Sequence, residues 1–151
     1  MRPELALEYS LFMLLALSIT FMDIKEFRIP DYLTLGGIFV LSVLKLAFGQ
    51  SSIGLLALEA CLGYGLFWLI HRLTRGKLGL GDAKYSALIA VAVGIPPWFL
   101  ALLAASVAGL LFAAVMMGFF GMSRRARIPF APFLTLGAIV SVVAGRSLPV
   151  L

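Results

Sequence analysis

Residues 85–123 read YSALIAVAVGIPPWFLALLAASVAGLLFAAVMMGFFGMS, without one charged side chain. A helix that crosses a bilayer needs about 20 apolar residues. The stretch is too long for one crossing and suits two. Gly94-Ile-Pro-Pro97 supplies the break, because proline lacks a backbone donor and disfavours helix in the residue before it. Span four is therefore expected at about Asp82 to Val93 and span five at about Pro97 to Phe120. Span four is short, which implies that it starts inside the preceding connector or is partly buried by its neighbours.

The same reading extends to both sides. Span one covers about Leu5 to Met22, followed by the polar stretch Asp23-Ile-Lys-Glu-Phe-Arg-Ile-Pro-Asp31. The first span resembles a signal peptide in its apolar run, but Glu4 and Glu8 precede it and no Ala-x-Ala site follows, so it is expected to be retained. Span two runs from about Asp31 to Phe48, span three from Ile53 to Ile70, and span six from Phe130 to Ala144. The fold class expected is all-α, a polytopic membrane protein with about six transmembrane helices, forming a single membrane-embedded domain over residues 1–151. Composition agrees: 62% of the 151 residues are hydrophobic and 13% are charged, against about 25% charged in a soluble domain. Mean hydropathy is +1.09.

The net charge of +5 lies in short clusters between apolar runs. Lys25 and Arg28 occupy the first connector; Arg72, Arg75, Lys77 and Lys84 the third; Arg124, Arg125 and Arg127 the fifth. The opposite side has Arg2, Lys45 and Arg146. The positive-inside rule puts connectors one, three and five in the cytoplasm. No basic surface has interleaved aromatics, so nucleic acid is not an expected partner; the lipid bilayer is. Cys61 is the single cysteine, which excludes an intramolecular disulfide and a cysteine zinc site, and it reads as a small buried hydrophobe. Gly63, Gly65 and the small residues from Ala104 to Gly109 read as close helix-packing positions.

Two of the seven acidic residues, Asp23 and Asp82, fall at the same membrane face by this topology. A carboxylate near hydrocarbon is costly and marks a candidate functional site. Two close carboxylates share one proton: one activates a water, and the other, protonated, polarises a scissile carbonyl. That chemistry needs no metal and no cofactor. Gly79-Leu80-Gly81 before Asp82 removes side chains where an extended peptide would approach; the same residues equally suit a turn and an N-cap. Glu59 and Lys45 come to similar depth across a hairpin and are expected to form an ion pair, while His71 reads as a helix-end residue.

Asp23-Ile-Lys-Glu-Phe-Arg-Ile-Pro-Asp-Tyr-Leu-Thr34 resembles the first aspartate motif of type IV prepilin peptidases, with Pro30 and Asp31 in their places. Gly79-Leu-Gly-Asp-Ala-Lys84 resembles the family's Gly-x-Gly-Asp motif with its lysine, and Ile128-Pro-Phe-Ala-Pro-Phe-Leu-Thr-Leu-Gly-Ala138 the start of its last span, with Ala131 where glycine is expected. The resemblance covers essentially the whole chain. It implies an aspartic endopeptidase that removes the short basic leader of prepilin-like proteins, with Asp23 and Asp82 catalytic and Gly79, Gly81, Lys84, Pro30 and Asp31 in support. It also implies a bacterial or archaeal inner membrane and an active site at the cytoplasmic face. The cysteine pairs of the longer members are absent from this sequence, so the resemblance is to the short, peptidase-only form without methyltransferase activity. The competing reading is a small ion- or proton-coupled transporter built on intramembrane carboxylates. Against it stand the lack of a two-fold repeat and the placement of both aspartates at one face.

Overall fold

The computed structural model describes residues 3–121, 123 and 128–147. Six helices follow one another: α1 (Pro3–Glu26), α2 (Asp31–Ala47), α3 (Ile53–Leu73), α4 (Leu80–Val93), α5 (Ile95–Phe119) and α6 (Ala131–Ser147). The protein is all-α and multi-pass. Three helices are long and apolar enough to cross a membrane, Glu4–Glu26, Ile53–Leu73 and Ile95–Phe119, and Ala131–Gly145 is a shorter apolar helix. Large apolar side chains such as Leu14, Phe39, Leu103 and Leu110 point outward, which suits a lipid-facing perimeter and not a soluble one. Arg2, Arg124, Arg125 and Arg127, and the side chain of Arg146, lie outside the described residues.

α4 is the centre. At 14 residues it is about 21 Å long, shorter than a bilayer core of about 30 Å. It begins in the connector, at Leu80, and contacts every other helix. Ala83 and the whole run from Tyr85 to Ala92 are buried. Small residues make this possible. A Cβ on Gly63 of α3 would lie 2.7 Å from the Ala87 Cα, so α3 and α4 meet backbone to backbone. Gly137 of α6 meets the Ala101 carbonyl of α5 in the same manner. Gly65 has open space beside it and takes no part in packing, contrary to expectation. Gly94, at φ +85°, ends α4 and opens α5, with prolines in the first turn of α5.

α1 runs a full turn further than its apolar run, to Glu26, so Asp23 sits in helix and not in the polar connector that the sequence suggests. The buried stripe of α1 is Glu8, Phe12, Ala16, Ile19 and Asp23, the spacing of one helix face. A carboxylate stands at each end of it. Cys61 is exposed, also contrary to expectation, because the inward face of α3 is Leu56, Glu59, Gly63 and Phe67.

Lys45 does not close the expected ion pair with Glu59. Its ammonium donates to the Val91 carbonyl at 2.6 Å, supplying a donor to the last turn of α4, whose carbonyls lack helical partners. Glu59 and Glu8 stand within electrostatic reach of it. Glu59 Oε2 and Glu8 Oε1 are buried without a hydrogen-bond partner, so Lys45 is the countercharge for both. Lys45→Met leaves two buried carboxylates uncompensated and should cost about 3 kcal/mol, read as a lower unfolding midpoint in detergent. Adding Glu59→Gln to Lys45→Met should recover part of the loss; an unchanged midpoint in Lys45→Met would show that the cluster needs no countercharge.

Candidate active site

Asp23 lies on the last turn of α1 and is buried, 6% exposed. Its Oδ2 accepts a hydrogen bond of 3.0 Å from the Ala131 backbone N–H. That N–H belongs to the first residue of α6, one of the donors a helix start leaves free, and the helix dipole adds to the attraction. Ala131 is itself fully buried, so alanine in place of the expected glycine still admits this close approach.

Asp82 enters from α4, in its first turn, with Gly79 as the N-cap residue. The aspartate is therefore not the cap itself. Each glycine of the Gly-x-Gly-Asp stretch has a steric reason. A Cβ on Gly79 would stand 3.3 Å from Asp82 Oδ2, against the carboxylate. A Cβ on Gly81 would stand 3.1 Å from Ile29 Cβ, tighter than ordinary contact and directed at the first connector. The two glycines thus let the connectors close over Asp82 without covering it.

Asp23, Phe27, Arg28, Ile29, Asp31, Gly79, Gly81 and Asp82 line one cavity of about 250 Å³. Asp82 feels the charge of Asp23. The two aspartates singled out from the sequence are thus brought together by helices that are distant along the chain. Asp31 also lines the cavity and is exposed; Lys84 Nζ donates to Asp31 Oδ1 at 2.6 Å. This pair ties the first connector to α4. Being solvent-facing, it is worth at most about 1 kcal/mol. Pro30 does not line the cavity; it is the extended N-cap residue of α2, and its carbonyl accepts from the Leu33 and Thr34 N–H groups.

Two features of the cavity rim are not apparent from the sequence. Phe27 takes a left-handed conformation, φ +52°, a position that glycine or asparagine usually fills. It donates its N–H to the Asp23 carbonyl at 2.9 Å and turns the chain back over the cavity. His71 binds the Leu78 carbonyl through Nδ1 at 2.5 Å, bracing the connector that leads into Gly79. It is the helix-end residue expected, with a positioning contact added. Among the described residues no group of three or more histidine, cysteine or carboxylate side chains is arranged for a metal ion.

The family model described as the type IV leader peptidase family matches residues 10–114, a span that holds both aspartates. The chain is similar to proteins named prepilin leader peptidase/N-methyltransferase. That of Legionella pneumophila is 28% identical over 147 residues, covering 91% of this chain and 51% of the relative. That of Aeromonas salmonicida is 26% identical over 136 residues, covering 87% and 47%, and that of Neisseria gonorrhoeae 27% identical over 136 residues, covering 87% and 46%. The chain thus spans about half the length of the curated relatives it matches. No solved structure matches it. With more than half of its length inside the family model, the chain belongs to the type IV leader peptidase family.

Proposed function

We propose that this chain is an aspartic endopeptidase that removes the short basic leader of prepilin-like proteins at the cytoplasmic face of the inner membrane, with Asp23 and Asp82 as its catalytic pair. The observation that carries the reading is that these two carboxylates, from the two aspartate motifs, line one cavity in electrostatic contact. The curated relatives carry the name prepilin leader peptidase, which supports leader cleavage as the reaction.

The chemistry follows from the hydrogen bonds. A backbone N–H can only donate, so the Ala131 contact favours Asp23 as the ionised member and leaves the shared proton to Asp82. Asp23 takes a proton from water while the oxygen attacks the scissile carbonyl, and Asp82 gives its proton to the carbonyl oxygen, so that a neutral tetrahedral diol forms. Collapse of the tetrahedral diol expels the amine, which leaves with a proton supplied by the pair. Lys84 and Asp31 hold the first connector beside α4, and Pro30 starts α2 so that Asp31 faces the cavity. Arg28 on the rim gives no attraction to a basic leader, so recognition rests on the substrate's apolar helix and extended backbone. Gly79 and Gly81 leave room for that backbone.

Cleavage of a prepilin-like substrate by purified protein in detergent tests the assignment. Asp23→Ala and Asp82→Ala should each lower kcat by at least about 10²-fold while the protein stays folded and in the membrane. Full cleavage by either variant would remove that aspartate from the mechanism.

The pH dependence has a determined sign. Below both apparent pKa values of the pair no base remains, and above both no acid remains. The wild-type kcat should therefore follow a bell. A single rising limb with a flat alkaline plateau would mean that no proton is shared.

A further inference from the structure

The two helices that carry the aspartates, and α6, whose first residue binds Asp23, also carry three hydroxyls one turn deeper in the bundle. Thr20 precedes Asp23 by one turn on α1, Tyr85 follows Asp82 by one turn on α4, and Thr135 follows Ala131 by one turn on α6. Residues so spaced lie on one helix face, so each hydroxyl sits beneath one of the two aspartates or beneath the N–H that binds Asp23. They are joined. Thr135 Oγ1 is 2.6 Å from Thr20 Oγ1 and 2.6 Å from the Tyr85 hydroxyl. Tyr85 is fully buried and Thr135 nearly so. A hydroxyl donates once and accepts twice, so Thr135 can serve both contacts and accepts in at least one of them. The Tyr85–Thr135 contact is buried and the Thr20 contact partly so, and in such surroundings a hydroxyl chain holds its geometry.

α1 and α4 touch each other only slightly; α2 and α6 stand between them. At the level of the site the α2 route is the solvent-facing Lys84–Asp31 pair, a weak constraint. The α6 route is mostly buried and has two rungs, the Ala131 N–H on Asp23 and the hydroxyl chain below it. We infer that Thr20, Thr135 and Tyr85 are positioning residues, which use α6 as a spacer to hold Asp23 and Asp82 at the separation where they share a proton. The inference rests on the peptidase reading above. Thr135 is the hub, since both bonds end on it.

The test compares the full chain with Thr135→Val, Thr135→Ser, Tyr85→Phe and Thr135→Val/Tyr85→Phe, on a prepilin-like substrate. Thr135→Val should lower kcat about tenfold or more, as small misplacements of reacting groups do, with KM changed less than about twofold. The limbs of its pH–kcat bell should move together, because looser carboxylates couple less. Thr135→Ser should restore wild-type behaviour, and the double variant should be no worse than Thr135→Val alone. Spin labels at the exposed positions Ile24 and Leu80, in a Cys61→Ser background, give a readout that needs no catalysis: the distance distribution should broaden in Thr135→Val and not in Thr135→Ser. Wild-type kcat and pH profile in Thr135→Val would overturn the inference. So would a loss of activity that follows only the loss of folded protein, with the bell unmoved. If wild type cleaves no substrate, the peptidase reading fails by itself, and an unchanged distance width in Thr135→Val then overturns the positioning role as well.

Discussion

The enclosure of α4 is the constraint on which the bundle depends. A helix of 14 residues cannot present a hydrocarbon-length face to lipid, so it survives only where protein surrounds it. Ala83, Ala87, Ala90 and Ala92 keep its radius small. Gly63 lets α3 lie against it at backbone distance, and the other helices close the ring. Each end of α4 meets polar groups. At one end it stops at Gly94, where Lys45 reaches the Val91 carbonyl. At the other it starts at Leu80, and Asp82 in its first turn faces a cavity. A full-length central helix would have carried that aspartate out to the surface.

Charge is arranged around this helix in two layers. The stripe of α1 that faces inward ends in Asp23 at one layer and Glu8 at the other. In the Glu8 layer two carboxylates surround one ammonium, and the lysine is the group that keeps them tolerable. In the Asp23 layer the described cation is Arg28, which lines the same cavity as the two aspartates. Lys84 is committed to Asp31 at the rim, and Asp23 is met by backbone N–H groups at the start of α6, Ala131 at 3.0 Å with Phe130 beside it. The same bundle therefore neutralises carboxylates at one end and leaves two of them facing each other at the other. In the proposed mechanism, proton sharing lowers that repulsion.

The elements were readable from hydropathy because each break has a local chemical cause. Gly94 with Pro96 and Pro97 ends one helix and starts the next, and Pro30 starts α2. The inward faces were not readable. In a bilayer both the lipid-facing and the protein-facing sides of a helix are apolar, so the periodicity that marks a core in soluble proteins is flattened. Cys61 and Gly65 were misassigned for this reason: each lies in an apolar run, yet Cys61 is exposed and Gly65 has open space beside it. The partner of Lys45 was missed because it is a backbone carbonyl, which no side-chain pairing rule can indicate. Asp23 and Asp82 were legible because charge is rare in such a sequence. Thr20, Thr135 and Tyr85 were not, since a lone threonine in a helix usually bonds its own backbone, and only the docking of three helices brings these hydroxyls within 2.6 Å.

The proposed hydrolysis needs water beside groups that must stay partly desolvated, and the connectors suit both demands. Asp23 is 6% exposed, which keeps electrostatic interactions strong. Phe27 and Ile29 on the rim are apolar, while Arg28 and Asp31 open the same cavity to a polar surface. The first connector achieves this by folding back through a left-handed phenylalanine, at a cost of about 1–2 kcal/mol, and Gly81 leaves just enough room for Ile29. A straighter connector would relieve the strain but open the carboxylates to solvent, where their charges would be screened.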